Sequence, residues 1–294
     1  MTILSSHGTI EYCEGIVIPD APTMLWIGIV QKAMMKSSHK NQDYRGLKAA
    51  AATNRLQIAG NVKTGNDLML SLEYMPQNWT FFRYAMALSA GATLTDTLTA
   101  LSFGAISIDG TPKYIEMGNG KIDKIDVTIA EDSIAKVTAS VLFADLVLAT
   151  NDPWGTTYVG AGAHAADPAT AALGFNDITV FTLGSAFNAT DIKFGINNNL
   201  KAVKDPSSTN LSNVVDFVPQ KRDITFSCKA RRTAMNNFAV KHFAYSATNI
   251  VLTIGGTTFT FTGAKIPEET YDLLDEGVAE MDINFTGITG LAIS

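Results

Sequence analysis

Short runs of alternating or wholly apolar β-forming residues, each closed by Gly or Asn, recur along most of the chain and leave little room for any fold but a β one. Leu68 to Tyr74, Leu101 to Ile108, Ile125 to Ile129, Lys136 to Phe143, Ile192 to Ile196, Ile224 to Lys229, Ile250 to Ile254, Thr257 to Phe261 and Met281 to Phe285 are such runs. Asp109-Gly110 and Gly255-Gly256 stand between pairs of them and predict two-residue hairpin turns, because primed turns need residues that accept positive φ. Two stretches break the pattern with helical spacing: Asn78 to Leu88, through Trp79, Phe82, Ala85 and Met86, and Thr233 to Phe243, through Met235, Phe238 and His242. Each predicts one short helix. The expected fold class is mainly β.

The same succession of elements occurs twice. Asp67 to Tyr74 matches Asp223 to Ala230 at an offset of 156, which also places Phe82 on Phe238. Ala105 to Thr111 matches Val251 to Thr257 at an offset of 146. Gly120-Lys-Ile matches Ala264-Lys-Ile at an offset of 144, which brings Lys136 to Val141 onto Glu280 to Phe285. Upstream, Ile27-Gly-Ile29 and Lys32 to Lys36 echo Phe194-Gly-Ile196 and Lys201 to Lys204 at about 167. Order held over several matches points to a duplicated domain whose loops have diverged in length. The expected organisation is a first domain over 1–150, a linker or arm over 151–176 and a second domain over 177–294. The linker, Asn151 to Asn176, is rich in Gly, Ala, Pro and Thr and lacks periodicity. Long polar loops are expected at Ser37 to Asn66 and, shorter, at Asp205 to Arg222. Their recurrence in both halves favours an interaction role.

Charge narrows the function. Only 17% of the 294 residues are charged, against roughly 25% in ordinary soluble domains. Lys and Arg number 22 and Asp and Glu 28, giving −6, so the clustered cations that bind nucleic-acid phosphates are missing. No apolar run approaches the about 18 residues of a membrane span, and Met1 to Gly8 lacks the pattern of an export signal. Cys13 and Cys228 lie far apart and are expected to stay reduced, as in a protein assembled in cytoplasm.

Chemistry-bearing motifs are sparse. His7, His39, His164 and His242 have no metal-ligand spacing, so no metal site is expected. No nucleophile elbow, phosphate loop or dinucleotide-binding glycine pattern is present, and Val159-Gly-Ala-Gly-Ala163 falls in the linker, so no cofactor and no catalytic residue is assigned. Glu131-Asp132 and Asp275-Glu276 read as solvated turn carboxylates. Lys229-Ala-Arg231-Arg232 is the strongest local positive charge, either an inter-subunit patch or a solvated strand end. The residues argue for no enzyme.

Two segments carry a resemblance. Asp191-Ile-Lys-Phe-Gly-Ile-Asn-Asn-Asn-Leu-Lys-Ala-Val203, then a polar loop, then Gln220-Lys-Arg-Asp-Ile-Thr-Phe-Ser227, resemble the major tail tube proteins of tailed phages and related viruses. Gly120 to Ile129 and Ala135 to Phe143 are similar to the same family. The likeness covers most of residues 100 to 294, and the first half has Ile29-Val-Gln-Lys32 where the Asn triplet is expected. It implies two tandem tail-tube-like β-sandwich or barrel domains, each flanked by one short α-helix. It further implies a structural virion protein, assembled in the host cytoplasm, that polymerises into stacked rings and forms the conduit for DNA ejection. By the same resemblance, the loops 37–66 and 205–222 are expected to be the segments that reach an adjacent ring. Duplicated relatives imply three chains per ring with pseudo-sixfold symmetry. Tail terminator, tape measure and baseplate proteins are the implied partners, with DNA passing unbound and no membrane. Two other readings stand beside it: a glycan-binding β-sandwich module on a virion or cell surface, with Trp26, Trp79 and Trp154 as the only tryptophans, and the tube of a contractile injection apparatus.

Overall fold

The apolar positions of each β run turn to one side, and two layers close over them. In the computed structural model the described residues are 2–3, 9–16, 24–44, 60–87, 91–109, 111–149, 168–183, 189–205, 207, 213–231, 247–266 and 280–294. The first half carries β1 (Thr2–Ile3), β2 (Thr9–Glu14), β3 (Ile29–Tyr44), β4 (Gly60–Met75), the helix α1 (Thr80–Arg83), β5 (Leu101–Asp109), β6 (Thr111–Ile129), β7 (Lys136–Phe143) and β8 (Asp145–Ala149). The second carries β9 (Ile178–Leu183), β10 (Ala189–Asn197), β11 (Lys201–Lys204), β12 (Val214–Val218), β13 (Asp223–Arg231), β14 (Thr248–Ile254), β15 (Thr257–Ala264), β16 (Glu280–Phe285) and β17 (Gly290–Ile293). The chain is mainly β, as the punctuated runs require.

The main layer runs β1-β3-β4-β7-β6-β10-β13-β16, antiparallel throughout. The strand β6 has 19 residues and serves two layers. Its later part pairs with β7 and β10, while its earlier part pairs with β5 and β8, and β2 lies beyond β5. A register shift between Ile122 and Lys124 marks the crossing. On the other half, β17-β15-β14-β9 makes the facing layer. Aromatic rings fill the space between: Phe103 meets Phe143 at 5.5 Å, Phe194 meets Phe259 at 5.1 Å and Phe226 meets Phe261 at 4.9 Å. This is an antiparallel sandwich.

The two halves share one core and one sheet. Six consecutive pairs, from Ile129 opposite Ile192 to Lys124 opposite Asn197, join β6 to β10. At Gly195 a side chain is impossible without displacement, because a Cβ there would lie 2.5 Å from Asp126 Oδ1 and 2.6 Å from Ile125 O. The helix region contributes to both halves. Phe81 packs on Tyr12 at 5.0 Å and Phe103 at 6.1 Å, whereas Phe82 packs on Phe194 at 5.8 Å and Phe259 at 5.5 Å. Trp79 donates its indole N–H to Ile254 O at 3.3 Å. The expected helix Asn78 to Leu88 is therefore shorter than its spacing suggested, because turns take over after Arg83. The expected second helix, Thr233 to Phe243, lies outside the described residues.

Register tests the repeat offsets. Leu70, Leu72 and Tyr74 of β4 face Val141, Ala139 and Val137 of β7. Phe226, Cys228 and Ala230 of β13 face Phe285, Ile283 and Met281 of β16. These are the partners to which offsets of 156 and 144 carry the first set. The upstream echo at 167 does not hold. Met35 faces Leu70 as Phe194 faces Phe226, so the strands correspond at an offset of 159. The core positions of β3, Ala33 and Met35, are small or flexible and do not resemble Ile192 and Phe194, which hid the match. The hairpin match at 146 is one residue out, since Ala105 and Leu252 are the fully buried counterparts. Gly255 and Gly256 do form the expected two-residue turn, at φ 57° and 79°. In the first hairpin Asp109 is itself paired with Thr111.

Two segments expected to be irregular carry order. Strands β3 and β4 run on as a ladder as far as Tyr44 opposite Gly60, so only 45–59 of the loop 37–66 lies outside the described residues. Residues 168–176 of the expected linker are seated on the first half: Leu173 bonds Pro76 O at 2.7 Å and receives Ala135 N at 2.9 Å. Residues 151–167 lie outside the described residues. Because Phe82 fills space in both halves, Phe82→Ala is expected to cost about 3–5 kcal/mol and to weaken both halves in a single denaturant transition. A transition that splits in two would refute a shared core.

Candidate functional site

One side of the main layer is polar across both halves. Cross-strand register aligns Lys32, Glu73, Thr138, Asp126, Gly195 and Thr225 in one row, and Met34, Ser71, Ser140, Lys124, Asn197 and Asp223 in the next. A third row holds Lys136, Thr128, Lys193, Ser227 and Asn284. The alternate positions, such as Leu72, Val127, Ile192 and Cys228, are buried in the sandwich. Three cations on this face stand beside anions. Lys124 bonds Asp126 at 2.7 Å, Lys229 bonds Asp191 at 3.1 Å, and Lys32 lies directly across from Glu73. Shallow depressions of about 310 and 320 Å³ lie on the first-half and second-half parts of the face.

At one end of the layer two hairpins leave it. The β4–β7 ladder ends with Leu68 opposite Phe143, so beyond Ser38 and Asp67 the strands β3 and β4 pair, among the described residues, with each other alone. At about 3.3 Å per residue this arm projects roughly 20 Å. Its second-half counterpart is short: the chain breaks after Asn197, and β11 and β12 form a separate two-stranded sheet. That sheet folds down on the layer through Val214 and Phe217 against Ala144. Lys121, with 5% of its side chain exposed, bonds Asp216 at 2.6 Å and Phe217 O at 3.0 Å, and Asn119 bonds Val215 O at 2.9 Å. The segment 205–222 is thus in part a docked hairpin, with Val203, Val215 and Val218 exposed on it. Between the two hairpins lies a groove of about 510 Å³, lined by Lys36, Met69, Leu142, Ala202 and Val214 among others.

The Asn triplet is what breaks the strand. Asn197 accepts the Asn199 N–H at 3.1 Å, and Asn199 takes φ 47°. Its side chain then donates to Lys221 O at 2.7 Å and Asp223 Oδ2 at 2.9 Å. Asn198 is fully buried and donates to Ala85 O at 2.9 Å and Ile122 O at 2.8 Å. Arg222 donates to Met86 O at 3.3 Å, and its burial holds the guanidinium pKa below the usual value. The carbonyls that end the α1 region are therefore tied to the strand junction by Asn198 and Arg222. Sequence reasoning saw these residues as a signature and missed the bonds, because the partners are up to 136 residues away.

Other singled-out residues have ordinary surroundings. Asp132 takes φ 54° in the turn between β6 and β7. Cys13 and Cys228 are free and buried, and burial pushes the Cys13 thiol up to about 11. Trp79 is in the core, and Trp26 donates to Gln77 Oε1 at 2.6 Å. His7, His164, His242, Trp154, Arg232 and Asp275-Glu276 lie outside the described residues, as does the side chain of His39. Among the described residues no cluster of three or more His, Cys, Asp or Glu is placed to hold a metal ion, and no helix is long and apolar enough to cross a membrane. Removing the Asn198 amide leaves two buried carbonyls without their donor. Asn198→Ala should therefore cost about 2 kcal/mol, read as a fall in the denaturation midpoint, and an unchanged midpoint would show that the bridge is dispensable.

No curated protein matches the chain. A family model described as phage tail tube protein matches residues 51–287. That span takes in β4 of the first hairpin, the whole β11–β12 hairpin, the Asn triplet and most of the polar face, and its family is a structural one and not a family of enzymes. The chain belongs to the phage tail tube protein family, and its place is the tail of the virion.

Proposed function

We propose that each chain supplies two wall units of a ring, that three chains close it with pseudo-sixfold symmetry, and that stacked rings form the conduit for DNA during ejection. The observation that carries this is the repeated register: β3-β4-β7 and β10-β13-β16 have the same order and matching cross-strand partners, at offsets of 159, 156 and 144 in turn. The β6–β10 ladder then serves as the pattern for the joint between subunits. Repeating it around a ring turns every polar face to one side, the lumen. A polyanion meets there lysines of which Lys124 and Lys229 are already held by carboxylates, so fewer counterions are released on contact and DNA slides instead of sticking.

Rings stack through the two hairpins at one end of the layer. A two-stranded arm with no third strand is marginal in water, so the β3–β4 arm gains most by resting on a neighbouring ring. The exposed valines of β11 and β12 offer the second contact. Subunits assemble in the host cytoplasm, between a tail terminator and a baseplate and around a tape measure protein.

Electron microscopy of purified assemblies tests the ring: three chains per ring are expected, and six would overturn the duplicated-unit reading. Deleting 41–64 shortens the arm and is expected to leave the folded subunit intact by circular dichroism while abolishing tube growth. Normal tubes from that variant would remove the arm from the stacking contact.

A further inference from the structure

Strands β3 and β10 hold equivalent places, since Met35 faces Leu70 as Phe194 faces Phe226. On its other side β10 is covered by β6, with Phe194 opposite Val127 and Lys193 opposite Thr128. The same side of β3 is covered by the chain's own start: Thr2 lies opposite Met35 and Ile3 opposite Met34, again antiparallel. Against β3, then, Thr2 and Ile3 stand where Val127 and Thr128 stand against β10. Among the described residues the coverage is unequal, with six consecutive pairs from β6 and two from β1.

We propose that β1 is a displaceable cap on the edge of β3 that receives a strand from a second copy of this chain, so that Thr2 and Ile3 must leave Met34 and Met35 before a subunit joins a ring. This presupposes the tube-subunit reading above and adds a competition inside the free subunit. An uncovered edge pairs with whatever strand it meets, so an uncapped β3 risks association off the growing tube. A short cap suits the task. Its few main-chain bonds have a net worth of about 1 kcal/mol each, while a strand paired as β6 is paired with β10 makes more of them. Exchange is then favourable wherever the incoming strand is already positioned by an assembled ring.

Two full-length variants test the cap. Thr2→Pro with Ile3→Pro removes the N–H groups and bars the pairing, and Ile3→Cys with Met34→Cys allows the cap to be locked by oxidation. Assembly is followed by light scattering, with electron microscopy to identify tubes, beside the unaltered chain. The proline variant is expected to assemble at a concentration lower by roughly tenfold, one to two lost bonds converted to a ratio. The oxidised cysteine variant is expected to stay unassembled until reductant is added. Assembly by the oxidised form, or unchanged or slower assembly by the proline variant, overturns the cap, the slower case because β1 would then belong to the joint. Tubes from the unaltered chain with those results remove the cap alone, whereas rings from no variant and none from the unaltered chain remove the tube reading as well.

Discussion

The β6–β10 ladder is the contact on which the rest of the structure depends. It makes one sheet of two halves, and a strand's side chains alternate with a period of two. A slip of one residue in this ladder would therefore turn the second half's apolar set, Ile192, Phe194 and Ile196, out of the sandwich and its polar set in. Register there fixes the polar side of each half relative to the other. Two local devices hold it. Gly195 leaves space for Asp126 and the Ile125 carbonyl, and Asn198 ends β10 by binding the Ile122 carbonyl beside the register shift of β6. The long strand can then cross from one layer to the other without losing its partner.

The low charge of the chain now has a location. On the polar face, Lys124 and Lys229 are paired with carboxylates and Lys32 lies across from Glu73, while Thr, Ser and Asn fill many of the positions between them. Exposed pairs of this kind contribute little to stability, and their arrangement is better explained by what the face meets. On the proposed conduit reading, unpaired lysines would bind phosphate through counterion release, and a purely acidic face would oppose ring closure by self-repulsion. Balanced pairs avoid both. The exposed carboxylates are thus counterweights to the lysines.

Much of the fold was legible because β alternation and turn chemistry are local. Leu68 to Tyr74 and Lys136 to Phe143 declare their core sides in sequence, and Gly255-Gly256 declares its turn. The offsets of 156 and 144 were legible because both halves keep apolar residues at the same phase. The correspondence of Met35 with Phe194 was not, since a flexible aliphatic and an aromatic share no pattern beyond burial. The ordered arm of β3 and β4 was also hidden. Its residues, Lys40, Asn41, Gln42 and Asp43 among them, have the composition of a loop, and pairing alone makes them a ladder. The site was least legible where bonds span the chain: nothing local in Asn198 or Arg222 announces the Ala85 and Met86 carbonyls that they hold.

The two hairpins differ in a way that bears on how rings fit together. In the first half the β3–β4 ladder runs on past the last β4–β7 pair, to Tyr44 opposite Gly60. In the second the Asn triplet cuts the strand, and Lys121, Asn119 and Phe217 pull the shorter hairpin down onto the layer. The two halves therefore match in the order and register of β3-β4-β7 and β10-β13-β16 and differ at the end of the sheet. On the trimeric reading, a ring presents a near-sixfold wall and a threefold stacking surface, with projecting and docked hairpins alternating around it. Such a surface admits half as many angular settings between rings as identical hairpins would. A duplicated chain can thus specify the twist of its tube more tightly than a chain with one unit, while keeping the lumen nearly uniform for what passes through it.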